Sequence, residues 1–127
     1  MSSPKFERVK KNNPRLSDFL DRLVSYINLQ IQSGESYIIP KLAAAALRLT
    51  DAEAVVLLEV LAKGEILQRI YNVYCRRNET LLTTVDNIGY LDRLPHCDDC
   101  DEDHWPRDLK VEIAYRVKNG NVRSGIV

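Results

Sequence analysis

The sequence lacks several features that would assign a location or a function directly. It has no apolar run near the ~18 residues of a membrane-spanning helix, and its first residues have no apolar core of a secretory signal. Cysteine occurs only three times and histidine twice among 127 residues. These absences predict a soluble, cytoplasmic protein that does not bind a membrane. An odd number of cysteines there favours thiols or metal ligands over disulfides.

The motifs of common enzyme classes are also missing. There is no Gly-rich phosphate loop, no nucleophile elbow and no His-Glu-x-x-His pair. The two histidines, His96 and His104, flank one acidic segment. The sequence is therefore interpreted as that of a non-enzymatic protein, and it identifies no small-molecule substrate.

The charges balance overall but are unevenly distributed. The formal net charge is zero, because the sequence has 18 Lys and Arg residues and 18 Asp and Glu residues. A chain without net charge has no overall attraction to nucleic acid or to an anionic membrane. Residues 1–14 mix Lys, Ser, Asn and Pro without periodicity, which predicts a basic flexible arm. Five carboxylates crowd residues 98–103.

Residues 15–74 have the pattern of three helices followed by a strand. Ser17 is the predicted N-cap of a first helix, which apolar residues at i, i+3 and i+4 spacing extend to near Gly34. Pro40 suits the first position of a second helix that reaches about Leu49. With 45% apolar residues, the chain has enough material for one modest core.

The third predicted helix has the clearest boundaries. Thr50 and Glu53 have the spacing of a capping box, and the helix covers residues 51–63. Gly64 follows, where a left-handed C-cap is expected. The β-branched and aromatic residues of 66–75 then predict a strand.

A long insertion separates this strand from its predicted partner. The returning wing strand occupies residues 109–118, with its alternating pattern over 109–117, and residues 119–127 are interpreted as a tail. Residues 75–108 between the two strands far exceed a hairpin loop, so they require structure of their own, such as a short strand at 81–85.

Cysteines at both ends of the insertion suggest a metal site. The two cysteines of the Cys-x-x-Cys segment at 97–100 can reach one tetrahedral zinc ion, while a third cysteine ends the first wing strand. The fourth ligand would be one of the two histidines. A complete zinc ribbon would also carry a cysteine at Asn78, and the alternative is three buried thiols without metal. The predicted zinc ligands are Cys75, Cys97, Cys100 and His104.

Together these features resemble a prokaryotic winged-helix module with a zinc-ribbon-like insertion in the wing. The resemblance is carried by residues 39–63, 71–75, 97–100 and 111–117, within a span of about two thirds of the chain. It implies an α+β fold, namely a winged helix-turn-helix of three helices plus a β-wing with a small zinc-knuckle-like insertion. It also implies a non-enzymatic role, such as an accessory component of a bacterial regulatory or defence system.

The third predicted helix has the wrong surface for reading DNA. Ala54, Leu57, Leu58 and Leu61 share its core side, and the opposite face is apolar and acidic, which phosphates would repel. The sequence therefore predicts an adaptor or regulatory protein acting through protein–protein contacts. The alternative is that the first predicted helix covers this face. The predicted contact residues are Ala52, Val56, Glu59, Val60 and Lys63.

Two further expectations concern the binding partner. Phe19, Tyr26 and Leu29 lie outside the main apolar stripe of the first predicted helix, which favours a homodimer as one form of protein partner. The alternative function is a DNA-binding transcriptional regulator of winged-helix type, in which basic side chains grip phosphates weakly and without reading sequence. The candidate nucleic-acid contacts are Lys10, Lys11, Arg69, Arg76 and Arg77.

Overall fold

A computed structural model describes residues 3–87, 96–97, 102–103 and 109–118, the two short stretches by their backbone alone. Within these residues the chain forms four α-helices and a three-stranded antiparallel sheet, so the predicted α+β class is confirmed. The chain divides into two compact units, the first formed by residues 1–69 with 115–127 and the second by residues 70–114. No helix in the described part has the length and apolar character that crossing a membrane requires.

The N-terminal segment forms a helix, α1 (Pro4–Asn12), so the prediction of a flexible arm at residues 1–14 is wrong. The Ser3 hydroxyl accepts a hydrogen bond from the backbone N–H of Phe6 (3.1 Å) and caps the helix. Phe6, only 2% exposed, and Val9 enter the hydrophobic core of the first unit. The polar composition hid the helix, because one apolar pair at i and i+3 is too short to show a period.

A short 3-10 turn, Pro14–Leu16, leads into α2 (Ser17–Gln32). The predicted helix is confirmed, and the apolar stripe that predicted it is buried except for Ile31, which is partly buried. Its start differs in detail, because Leu16 occupies the N-cap position without a side-chain hydrogen bond and Ser17 is the first helical residue. The buried residues of the helix are Leu20, Leu23, Val24 and Ile27.

The helices α3 (Pro40–Leu47) and α4 (Asp51–Lys63) are joined by three residues. The capping box of α4 is present, with Thr50 and Glu53 exchanging hydrogen bonds of 2.9 and 3.1 Å. The helix α3 ends two residues before the predicted Leu49, because Arg48 adopts a left-handed conformation with φ of 57°. The core side of α4 is as predicted: Ala54, Leu57, Leu58 and Leu61 are buried.

The end of α4 differs from the prediction. Gly64 has φ of −81°, and the left-handed residue is Glu65, with φ of 64°. The backbone N–H groups of Glu65 and Ile66 each donate a 3.0 Å hydrogen bond to the preceding turn, which is the pattern of a Schellman motif. The helix α2 ends in the same pattern with Gly34, whose φ is 92°, at the left-handed position.

A close helix contact accounts for glycine at position 64. A Cβ atom placed on Gly64 would lie 2.3 Å from Cγ2 of Val9, far inside van der Waals contact. Gly64 therefore lets α1 approach the end of α4. The left-handed conformation is adopted by the next residue, Glu65, which has a side chain.

The substitution Glu65→Gly is expected to stabilise the protein by about 0.5–1 kcal/mol. A left-handed conformation costs a residue with a Cβ atom roughly 1–2 kcal/mol, part of which glycine returns as greater entropy of the unfolded chain. Urea unfolding should show a higher midpoint with an unchanged slope. An unchanged or lower midpoint would contradict the left-handed assignment of Glu65.

The sheet consists of β1 (Leu67–Cys75), β2 (Leu81–Val85) and the returning strand β5 (Leu109–Val117), with β1 in the centre. The predicted short strand, the returning strand and its pairing with the first strand are confirmed, while β1 begins one residue later than predicted. Two further strands of two residues each, β3 (His96–Cys97) and β4 (Glu102–Asp103), pair with one another.

The second unit is larger than the predicted insertion. It spans residues 70–114 instead of 75–108, because it includes most of β1 and β5. Its buried residues include Ile70, Val73 and Cys75 on β1. The predicted tail at 119–127 lies outside the described residues.

A single β-bridge in the first unit was not predicted. The backbone of Ile38, between α2 and α3, pairs with Tyr115 on β5, and the Tyr115 N–H donates to the Ile38 carbonyl at 2.9 Å. Both residues are buried in the core. The segment that precedes α3 is therefore held against the returning strand.

Candidate protein interface

The exposed face of α4 divides into two parts. Ala52 and Val56 in its first half are exposed, Val56 to 54%, and so is Lys63 at its last position. Glu59 and Val60 between them are partly buried by contacts within the chain. The predicted contact residues therefore differ in exposure, and Glu59 and Val60 are the two that the chain itself partly covers; their contact with a partner stays a prediction.

Glu59 belongs to a network within the first unit. Its carboxylate accepts a 2.6 Å hydrogen bond from the Tyr115 hydroxyl and forms an ion pair with Arg69. Partial burial raises the pKa of Glu59, but the hydrogen bonds from Arg69 and Tyr115 outweigh it and hold that pKa below its usual value. Burial and the neighbouring carboxylate raise the pKa of Tyr115 well above its usual range. The network therefore fixes a charged Glu59 against a neutral Tyr115.

Val60 packs against the core of the first unit, together with other partly buried apolar residues. The helix α1 contacts α4 and brings Val9 against Gly64, one turn beyond Val60. The alternative named the first predicted helix, which is α2, as the cover of this face, whereas the contact beside Gly64 comes from α1. The packing of α1 against α4, however, was not expected from the sequence.

An apolar groove lies beside the first half of α4. Its volume is about 160 Å³, and Glu53 is the one residue of its lining with a polar side chain. We call this cavity the α4 groove. It is lined by Leu16, Phe19, Leu49, Glu53, Val56 and Leu57.

Contacts around the α4 groove hold its margins in place. The Arg22 guanidinium lies 5.9 Å from the centre of the Phe19 ring and donates a 2.8 Å hydrogen bond to the Leu47 carbonyl at the end of α3. The hydrogen bonds that Glu53 exchanges with Thr50 lower the pKa of the Glu53 carboxyl, the bond with the Thr50 backbone contributing most. The groove therefore has an exposed aromatic ring at one margin and an ordered carboxylate at another.

Sequence analysis identified part of this groove. Val56 was predicted as a contact residue, and Phe19 was noted as apolar yet outside the core stripe. Leu16 and Leu49 were missed as lining residues, because each lies outside the α-helices, where the helical period carries no information. An apolar residue immediately beside a helix end was the available signal.

Several of the candidate nucleic-acid contacts are engaged within the chain. Lys10 lies 3.1 Å from the Asp21 carboxylate and 3.3 Å from that of Glu7, and Arg69 pairs with Glu59 as described above. Arg76 donates a hydrogen bond of 3.2 Å to the Leu109 carbonyl. Lys11 and Arg77 are exposed, and Arg77 also takes part in an interaction within the chain.

The predicted zinc ligands lie mostly outside the described side chains. Cys75 is fully buried at the end of β1. Cys97 is described by its backbone alone, and Cys100 and His104 are outside the described residues. Among side chains that the structure describes, no group of three or more His, Cys, Asp or Glu residues is placed to hold a metal. The zinc site stays a prediction.

A larger cavity of about 480 Å³ opens beside the end of α2, where Glu35, Tyr37, Gln68 and Arg116 contribute to its lining. The Arg116 guanidinium is directed to the Gln68 side-chain oxygen, at 3.2 and 3.3 Å. None of the residues predicted to form a site lines this cavity. Two of its polar side chains, Gln68 and Arg116, thus bind one another, and the cavity supports a functional argument less directly than the α4 groove does.

Comparisons with known proteins give no match, whether with family models, with curated proteins or with solved structures. The α4 groove and the exposed first half of α4 are therefore the features from which we argue a function.

Proposed function

We propose that this protein is a non-enzymatic winged-helix adaptor that binds another protein chain through the α4 groove. The observation that carries the proposal is that two exposed apolar side chains line the same apolar groove of about 160 Å³. These are Phe19, exposed to 40%, and Val56, exposed to 54%. An apolar cavity of about 150 Å³ stays dry and accommodates a benzene ring. The α4 groove thus has room for one large apolar side chain of a partner.

The order of elements supports the winged-helix part of the proposal. The helices α2, α3 and α4 are followed by β1 and the returning strand β5, which lie side by side in the sheet. The bridge between Ile38 and Tyr115 ties the segment before α3 to β5. This order is what a helix-turn-helix followed by a β-wing requires.

The surface chemistry favours a protein partner over DNA. The first turn of α4 carries Asp51 and Glu53, and the hydrogen bonds with Thr50 hold the pKa of the Glu53 carboxyl below its usual value. Both carboxylates would be repelled by phosphates in a DNA groove. An apolar cavity next to exposed valine and phenylalanine instead resembles the desolvated centre of a protein interface. A protein of this kind would act as an accessory component of a bacterial regulatory or defence system.

The substitution Val56→Asp is expected to weaken capture of the protein partner at least about tenfold, because it places a charge in an apolar contact. The matched control is Val55→Asp, since Val55 is exposed to 38% on the same helix but does not line the groove. Quantitative affinity capture from an extract of the native host, with circular dichroism to verify folding, measures the difference. Equal capture by Val56→Asp and Val55→Asp would contradict the proposal.

A further inference from the structure

We infer that the cavity of about 480 Å³ beside the end of α2 binds a free amino acid with an apolar side chain. We call it the α2 cavity. The ligand places its carboxylate at Arg116 and its ammonium group at Glu35, two oppositely charged residues of the lining. The inference goes beyond the proposed function, because the α2 cavity and the α4 groove have no lining residue in common.

Backbone hydrogen bonds hold the walls of the α2 cavity in place. The N–H groups of Gly34 and Glu35 each donate a 3.0 Å hydrogen bond to the last turn of α2. The bridge between Ile38 and Tyr115 holds the segment after α2 against β5. Every lining residue belongs to the first unit, so one compact body forms the whole cavity. The cavity is therefore formed without a ligand, as small-molecule sites usually are.

The size and the mixed lining of the α2 cavity are those of a small-molecule site. Such sites measure about 300–1,000 Å³ and combine apolar walls with a few polar groups that fix the orientation of the ligand. Ile31, Ile38 and Val117 supply apolar surface, and Ile38 is only 3% exposed. An apolar side chain of the ligand would leave water on contact with this surface, which favours binding.

The two charges of the lining select a ligand that carries both signs. Glu35 would repel a simple carboxylate and Arg116 would repel a simple amine, whereas a zwitterion matches each residue with its opposite charge. Among the residues that the structure describes, Glu35 forms no ion pair, so no cation of these residues neutralises its carboxylate. A free amino acid carries both charges beside its side chain, so one molecule can meet both charged groups and the apolar surface.

Gln68 orients the Arg116 guanidinium at the cavity. The Gln68 side-chain oxygen accepts hydrogen bonds from Nε at 3.3 Å and from Nη2 at 3.2 Å. Because this partner is neutral, it fixes the guanidinium plane without cancelling the positive charge. Arg116 also takes part in a further interaction within the chain. A guanidinium has five N–H donors, so it can serve several acceptors at once, and its planar fork suits a carboxylate.

Titration calorimetry of the full chain tests the inference, with L-leucine and L-phenylalanine as probes. The wild type should bind at least one of them with a Kd below about 1 mM. Each probe is compared with two analogues, the carboxylic acid that lacks the amino group and the amine that lacks the carboxyl group. Both analogues should bind at least about tenfold more weakly, because each leaves one charge of the cavity unmatched. Absence of binding by both probes at about 10 mM, or equal binding of a probe and its analogues, would overturn the inference.

Two substitutions test the roles of the charged residues separately. Arg116→Gln should weaken binding of the amino acid at least about tenfold without weakening the amine analogue. Glu35→Gln should weaken the amino acid to a similar extent without weakening the carboxylic acid analogue. The matched controls Arg8→Gln and Glu65→Gln each remove an exposed charge of the first unit outside the lining, so they should bind as the wild type does. Equal losses in the lining variants and in their controls would contradict the assigned contacts.

The outcomes separate this inference from the proposed function. Val56→Asp should bind the amino acid as the wild type does, because Val56 lines the α4 groove and not the α2 cavity. A folded Val56→Asp variant that lost amino-acid binding would overturn the placement of the ligand in the α2 cavity. Circular dichroism ensures that a loss of binding is read only from folded protein, and the comparison of analogues on the wild type needs no variant.

Discussion

The substitution Phe6→Ala is expected to lower the free energy of unfolding by about 3–5 kcal/mol, the range for truncating a buried phenylalanine. Phe6 is 2% exposed and packs in the core of the first unit, so alanine would leave a cavity that the surrounding helices fill only partly. Urea unfolding followed by circular dichroism measures the change, and the midpoint should fall with little change in slope.

Arg8→Ala is the control for this measurement. Arg8 is exposed on the same helix, and a surface substitution of this kind changes stability by about 0.5 kcal/mol or less. If both variants were equally stable, α1 would not be docked on the core, and the sequence-based interpretation of a flexible arm would apply after all.

The helices that the sequence predicted well have local signals. Pro40 at the start of α3 and the Thr50–Glu53 capping box at the start of α4 act within one turn of the chain, so their meaning does not depend on the rest of the fold. The sixteen-residue α2 is long enough for its apolar period to show. The returning strand β5 was likewise visible from alternation alone.

The features that were missed depend on contacts between distant residues. The helix α1 is short and polar, and its stability comes from the burial of Phe6 and Val9 against helices that follow much later. Glu59 was assigned to a partner because the sequence does not reveal its hydrogen bond from Tyr115, 56 residues away. A helical wheel separates a core side from an outer side, but it cannot show which outer residues the chain itself covers.

The candidate site, like the fold, was predictable only where local signals determine it. Val56 lies opposite the core side of α4, and its exposure followed from periodicity. The groove beside it is made by three segments that meet in space, namely the end of the 3-10 turn with α2, the turn before α4, and α4 itself. Such a cavity is a property of packing, so a one-dimensional pattern indicates only that apolar residues are available to line it.

The conformation at Gly64 shows how a contact can override a local rule. A glycine after a helix predicts a left-handed C-cap, yet the left-handed residue here is Glu65. The sequence contains no local sign that Val9, 55 residues earlier, occupies the space beside the Gly64 Cα atom. Glycine at this position is therefore explained by the packing of α1 against α4 and not by a left-handed conformation. A substitution can test this explanation.

The substitution Gly64→Ala is expected to lower the free energy of unfolding by about 1–3 kcal/mol, the range for overpacking a core. Gly64 has φ of −81°, which alanine adopts without backbone strain. A loss of stability must then come from the new Cβ atom, which would lie 2.3 Å from Val9 Cγ2.

A double-mutant cycle with Val9→Ala identifies the contact that is responsible. Shortening Val9 removes the atom that the new Cβ would meet, so Gly64→Ala should cost much less in the Val9→Ala background. Chemical denaturation of the wild type, both single variants and the double variant gives a coupling free energy, which we expect to reach about 1–2 kcal/mol in favour of the double variant. If the two substitutions were simply additive, the close approach of α1 to the end of α4 would not explain the glycine. Coupling of the expected sign would show that α1 is packed against α4 in solution.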